Sequence, residues 1–268
     1  MSVNPAFQRL SLLIGDEAVK ALSETKVHVF GLGGVGSYCA EALVRSGIGN
    51  ITLIDFDIVD VTNINRQVEA VVNTVGQKKT ESLAARLKEI NPDCKITVIA
   101  RFFSSPENGT EPVDSVCASE VPPATTETFG ITETDYVIDA IDTMNSKLDL
   151  IETVFKSGVT LYSSMGMARK LDPTMLKTCG IWETQGCPLA RNVREGLRKR
   201  GFTGNFIVVY SDEKFQEWKA GPDEPGQNVT DSGMRKKPIG SAIPVTASAG
   251  MILASLVIRD VYGKTNHG

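Results

Sequence analysis

The sequence predicts an α/β protein built on a doubly wound, mainly parallel sheet, with a helix ahead of it and an α+β extension after it. Three observations carry the prediction. Short apolar runs alternate along the chain with segments of helical periodicity, the pattern of a parallel sheet covered by crossover helices. The first run leads straight into Gly31-Leu32-Gly33-Gly34-Val35-Gly36, in which Gly31, Gly33 and Gly36 fit G-x-G-x-x-G. An acid, Asp55, then stands at the end of the second run, about 20 residues past the glycines, where a ribose-binding carboxylate is expected.

Residues 7–23 carry Phe7, Leu10, Leu13 and Ile14 at helical spacing with Arg9 among them, so a helix precedes the first strand. Val27, Val29 and Phe30 make that strand, the glycine turn feeds a helix running to about Arg45, and Gly47 is placed to end it. Residues 51–54 form the second strand. The loop VTNINRQ follows Asp57, then a helix from about Gln77 to Ile90 with Leu83, Ala84, Leu87 and Ile90 on one face, then a strand over 96–100. Periodicity stops between 103 and 134, where Ser, Thr, Pro, Glu and Gly predict a long surface loop of low order. A strand over 136–138 ends in Asp139-Ala140-Ile141-Asp142, followed by a helix through Leu148, Ile151 and Phe155 and a strand over 159–162. Pro188 opens a further helix; a strand over 206–210, a polar Gly/Pro/Lys loop and a final apolar helix close the chain.

A chain of 268 residues can bury a full core, and we read one domain over 1–268, with a nucleotide-binding core over 1–165 and a substrate-facing extension over 166–268. The N-terminus has neither the basic start nor the apolar centre of a signal peptide, so the expected location is cytoplasmic. The run from Ile243 to Ile258 is shorter than the roughly 20 residues a spanning helix needs, and we read it as a buried helix with no membrane partner. Five cysteines without a C-x-x-C pair argue against a disulfide framework and a four-cysteine zinc site.

The residues with the most chemical content lie outside the glycine turn. Asn63, Arg66 and Gln67 in TNINRQ, Lys79 in VGQKK and Asp142 in DAID all fall near the C-terminal edge of the sheet, with Asp57 just past the ribose acid. Fixed cations there can neutralise an α-phosphate under attack and a departing pyrophosphate, and a carboxylate can hold Mg²⁺ against phosphate oxygens, so ATP chemistry is expected. The plainer alternative is that Arg66 and Lys79 are solvated surface charges and that Asp142 caps a helix. His28 inside the first strand reads as a core residue, so no histidine is placed as a base. A carboxylate substrate needs none, being ionised already. The segment 191–200 carries Arg191, Arg194, Arg198, Lys199 and Arg200 against Glu195, a basic helix suited to a nucleic-acid phosphate backbone, with a solvated amphipathic face as the alternative.

Taken in order, GLGGVGS, LIDFD, TNINRQ, VGQKK and DAIDT resemble the E1-like superfamily of adenylyltransferases, which includes the ubiquitin-activating enzymes. The resemblance implies a Rossmann-like, E1-type activating fold. It assigns the glycine turn (Gly31, Gly33, Gly34 and Gly36) and Asp55 to the nucleotide, Asn63, Arg66 and Lys79 to its phosphates, and Asp142 to Mg²⁺. Arg9, in FQRL, is similar to the N-terminal arginine that reaches a neighbouring subunit's phosphates, implying a homodimer. Within the superfamily, QRLSLLIGDEAV, YVIDAID, LDPTMLK and CPLARNVREGLRKRG resemble the tRNA threonylcarbamoyladenosine dehydratases, implying ATP-dependent activation of a carboxylate on tRNA and its closure to a ring. The 103–134 insertion and Cys187, where an acidic cap is expected, depart from that pattern. The alternatives are adenylation of a sulfur-carrier protein's C-terminal glycine, as in molybdopterin or thiamine synthesis, and a non-catalytic nucleotide-binding module. Ubiquitin-type activators pass the acyl group to a thiol, for which Cys179 or Cys187 could serve, with buried structural cysteine as the commoner fate, and a sulfur-relay protein or cysteine desulfurase is a further candidate partner.

Overall fold

The structure is a computed structural model, described here over residues 4–101, 103, 125–214 and 239–266. Two short helices, α1 (Gln8–Ile14) and α2 (Asp16–Glu24), lead in. The expected single helix over 7–23 is thus broken at Gly15, whose φ of +87° no helix accommodates. The βα series follows as β1 (Lys26–Phe30), α3 (Gly36–Arg45), β2 (Asn50–Ile54), α4 (Lys79–Ile90), β3 (Lys95–Ile99), β4 (Tyr136–Asp139), α5 (Met144–Lys156) and β5 (Thr160–Ser164). Then come β6 (Leu176–Gly180), α6 (Pro188–Lys199), β7 (Ile207–Ser211) and α7 (Ile243–Asn266).

Among the described residues the strands form one sheet in the order β3-β2-β1-β4-β5-β7-β6, parallel except that the edge strand β6 runs against β7. Chain order reverses between β1 and β4. That is the switch point where a doubly wound sheet opens a crevice at its C-terminal edge. Because β7 pairs with β5 in the same sheet, the 166–268 extension shares this framework instead of standing apart. β6 escapes the sequence reading because Leu-Lys-Thr-Cys-Gly is half-exposed at an edge and shows no buried run.

The core lies on both faces of the sheet. On one, Leu43, Val44, Leu83 and Leu87 from α3 and α4 meet Val245, Leu253 and Val257 from α7; on the other, Ile151 and Val154 from α5 meet Val193 and Leu197 from α6. At 24 residues α7 is long enough to cross a membrane, unlike the shorter run read from the sequence. It instead packs on α3, where Gly250 lies so close that a Cβ would stand 2.4 Å from the Val35 carbonyl oxygen. Residues 104–124 of the expected surface loop lie outside the described residues, as does the polar loop over 215–238. The described flanks correct the expectation: Phe103, Phe129 and Ile131 are buried, and the Phe103 and Phe129 rings pack on Phe30 with centroids 5.5 and 5.3 Å away. Isolated apolar residues in a polar stretch show no period, yet they enter a core that other elements build. His28 is a core residue as expected, its Nε2 2.9 Å from Asp135 Oδ2, and burial lowers its pKa.

Candidate nucleotide-binding site

At the switch point an open cleft of about 970 Å³ lies over the glycine turn. Gly31 takes φ +84°, and a Cβ on it would stand 2.6 Å from the Ala140 carbonyl oxygen, so any other residue would force apart β1 and the loop after β4. At Gly36 a Cβ would meet the Gly31 carbonyl at 1.8 Å, whereas around Gly33 the nearest atom is Gln67 Nε2 at 3.8 Å. The turn is therefore packed tightly from behind and open in front, where a phosphate would approach the start of α3.

Asp55 is held at the exit of β2. Its carboxylate accepts the Leu32 N–H at 2.6 Å and the Asp57 N–H at 2.8 Å, tying β2 to the glycine turn. Burial raises its pKa, opposed by the charge of Lys79 and by those two N–H groups. The carboxylate's remaining lone pairs suit the hydroxyls of a ribose. Lys79 opens α4 nearly buried, and its Nζ stands 2.7 Å from Asp57. A lysine so placed is not a solvated surface charge. Asn63 is positioned by a reciprocal cap in which its Oδ1 accepts the Asp60 N–H at 3.0 Å and Asp60 accepts the Thr62 N–H at 2.8 Å. The Arg66 guanidinium donates to the Thr62 carbonyl at 2.9 Å and to Asn65 Oδ1 at 3.1 Å, and Gln67 is buried against the turn with its Oε1 lacking a hydrogen-bond partner.

Asp142 lies exposed on the cleft wall opposite these residues. The helix-cap alternative is not realised: Thr143 takes the cap position of α5, and among the described residues no side chain caps the helix. Beneath Asp142 is a constellation that sequence reasoning missed. Asp139 and Lys147 are both fully buried and 2.7 Å apart; Ser163 Oγ donates to Asp139 at 2.6 Å, the Ile141 N–H donates to it at 3.1 Å, and Lys147 donates to the Ile141 carbonyl at 2.8 Å. This knot fixes the loop that carries Asp142. Its only signal in the sequence is a lysine set among Leu148, Leu150 and Ile151 on a buried helix face. Among the described residues no group of three or more His, Cys, Asp or Glu could hold a metal alone. A single carboxylate fits Mg²⁺, which takes most of its ligands from phosphate and water.

The chain matches a model of the ThiF family over residues 7–267. It belongs to the ThiF family. The tRNA threonylcarbamoyladenosine dehydratase of Bacillus subtilis is 38% identical to it over 256 residues, 95% of this chain and 94% of that one. The E. coli tRNA N6-threonylcarbamoyladenosine dehydratase, solved in complex with ATP, superimposes with a TM-score of 0.81 over 100% of both chains at 31% identity, so the two share the E1-like fold. The molybdopterin-synthase adenylyltransferase of E. coli is 40% identical over only 88 residues, 33% of this chain and 35% of that one.

Two other parts of the ThiF-family chain bear on its site. Arg9 is exposed on α1 and does not line its own chain's cleft. α6 begins at the cleft, with Cys187 in the cap position and Pro188 first in the helix, and runs away from it. Its basic residues do not form the uniform face that their spacing predicts. Arg200 pairs with Asp149 at 2.7 Å and Glu152 at 2.8 Å, Arg194 bonds the Thr184 carbonyl at 3.0 Å, Arg198 lies over the Trp182 ring, and Arg191 pairs with Glu195 at the surface. The thiols are free among the described residues; burial pushes Cys94 up to about 11 and raises Cys39 and Cys179, which suits structural roles.

Proposed function

We propose that this protein uses ATP to adenylate the carboxylate of threonylcarbamoyladenosine in tRNA and then closes the activated group to a ring with net loss of water. One observation carries the reading: likeness to tRNA threonylcarbamoyladenosine dehydratases extends over nearly the whole chain, while likeness to a molybdopterin-synthase adenylyltransferase covers a third of it. In the first step a carboxylate oxygen bonds to the α-phosphorus as the bond to the bridging oxygen breaks, and pyrophosphate leaves with the electron pair. In the second, a nucleophilic atom of the same carbamoyl group closes on the activated carbonyl carbon, expelling AMP and losing a proton. ATP chemistry thereby takes up the elements of water that the ring gives off.

Asp55 holds the ribose, and the glycine turn, Asn63, Arg66 and Lys79 hold the phosphates. The ammonium of Lys79 is pre-positioned by Asp57, so it meets the polyphosphate without reorganising. Gln67 offers an unpartnered Oε1 at the turn. Asp142 would ligate Mg²⁺, which supplies charge neutralisation on the phosphates. A homodimer would bring Arg9 across to the partner's cleft. Supporting this, Leu12 and Leu13 beside it are 83% and 77% exposed, and Phe56, Ile58, Val61 and Val72 make a further exposed apolar set on the β2–α4 connection. The tRNA backbone would meet the α6 surface through Arg191, Arg198 and Lys199, with Arg194 and Arg200 anchoring the helix. The test is pyrophosphate release from Mg-ATP in the presence of either threonylcarbamoyladenosine-bearing tRNA or a sulfur-carrier protein. Stimulation by the tRNA alone is expected; stimulation by the carrier alone would overturn the reading.

A further inference from the structure

The cleft has two halves. β2 lies on one side of β1 and delivers Asp55, Asp57 and, through its crossover, Arg66 and Lys79; β4 lies on the other and delivers Asp142 and the first turn of α5. Ribose and phosphates are provided for on the β2 side and at the glycine turn. The β4 side holds donors that nothing so far uses. α5 is 13 residues long, no side chain among the described residues caps its start, and Thr143, Met144 and Ser146 at that start line the cleft, at the positive end of the helix dipole. Ser146, in that turn, lines the cleft at 2% exposure, and its hydroxyl has no hydrogen-bond partner. A buried hydroxyl left without a partner is costly, and it is retained at little gain unless a ligand completes it. Met165, Met167 and Leu189 line the same cleft, together with Ser164, Arg169 and Lys170, and Lys170 donates its ammonium to the Ser211 and Glu213 carbonyls at 3.0 and 2.9 Å. The three apolar side chains fit the organic part of an acyl substrate better than a second polyphosphate.

We propose that the start of α5 with the Ser146 hydroxyl is the subsite for the substrate's acyl carboxylate, holding one of its oxygens while the other attacks the α-phosphorus. The inference rests on the adenylation reading above and names the residues that receive the acyl group. The charge of Asp142 alongside opposes a bare anion, so the carboxylate binds after Mg-ATP.

The test uses the full chain and Ser146→Ala and Ser146→Asp variants, with pyrophosphate release measured at saturating Mg-ATP against the concentration of threonylcarbamoyladenosine-bearing tRNA. Loss of one hydrogen bond to a charged group raises KM for that tRNA about tenfold in the alanine variant, and the aspartate raises it further by repulsion. Mg-ATP affinity by calorimetry stays within about twofold, and the ligand-free melting temperature does not fall, because the hydroxyl removed has no partner in the protein. Ser146→Cys, close in volume and a poor donor, gives the same reading should the alanine variant misfold. An unchanged KM for tRNA overturns the proposal, and so does an equal loss of Mg-ATP affinity, which would hand Ser146 to the nucleotide. If the wild-type protein responds only to a sulfur-carrier protein, the tRNA reading fails by itself, and the same variants judge the subsite through KM for the carrier's C-terminal carboxylate. A wild-type protein that responds to neither sinks both.

Discussion

Replacing Lys147 by Met tests whether the loop carrying Asp142 rests on the buried knot beneath it. The substitution keeps the length and apolar stem of the side chain and removes the ammonium that stands 2.7 Å from Asp139, with both groups fully buried. It leaves a carboxylate with only Ser163 and the Ile141 N–H as partners and strips the Ile141 carbonyl of its donor. Breaking one side of a buried pair costs about 3–5 kcal/mol. At about 2–4 °C per kcal/mol for a chain of this size, the melting temperature should fall by about 6–20 °C. Calorimetry measures it directly. The double variant Asp139→Asn with Lys147→Met carries no uncompensated charge and should recover more than half of the loss. A melting temperature for Lys147→Met within about 1 °C of wild type would refute the reasoning, as would a double variant no more stable than the single one.

Asp55→Ala should weaken Mg-ATP binding at least tenfold by calorimetry, while Asp142→Ala should mainly slow the single-turnover adenylation rate; equal effects of the two on affinity would remove the division of labour. Burial pushes the Glu69 carboxyl up to about 7, against an unfolded value of 4.5, so the folded protein holds its proton more tightly and this contribution to stability fades as pH rises from 4.5 through 7. Glu69→Gln, which mimics the protonated form, should accordingly be more stable than wild type by about 3 kcal/mol at pH 8 and nearly equal to it at pH 4.5, as read from denaturant melts at both pH values. If Arg9 acts across a dimer, mixing inactive Arg9→Ala with inactive Asp142→Ala should restore up to about a quarter of wild-type activity, and no recovery despite subunit exchange seen by native mass spectrometry would confine Arg9 to its own subunit.

Much of the candidate site is legible because its residues sit at the ends of strands, and strand ends can be located from the apolar runs that precede them. Asp55 and Asp142 are found this way, as are the glycines, whose spacing records a backbone constraint: a Cβ at Gly36 would overlap the Gly31 carbonyl. Asn63, Arg66 and Lys79 follow from motif order, although the structure alone shows that Lys79 is nearly buried and paired with Asp57. The basic segment 191–200 marks the limit of such reasoning. Helical spacing places Arg191, Arg194 and Arg198 on neighbouring positions, yet partners distant in sequence decide which of the basic side chains reach outward, and Asp149 and Glu152 draw Arg200 in.

Local patterns along this chain were sufficient to determine the alternation of strands and helices, the glycine turn after the first strand and the acids at strand ends, because hydrophobic period, turn chemistry and charge at strand ends are short-range properties. Contacts between residues far apart in sequence had to be seen in three dimensions. Phe103 and Phe129 enter the core against Phe30, β6 joins the sheet only by pairing with β7, and Lys147 neutralises Asp139 inside the protein. Nothing local distinguishes these residues from their exposed counterparts; burial and pairing are decided by what the rest of the chain places beside them.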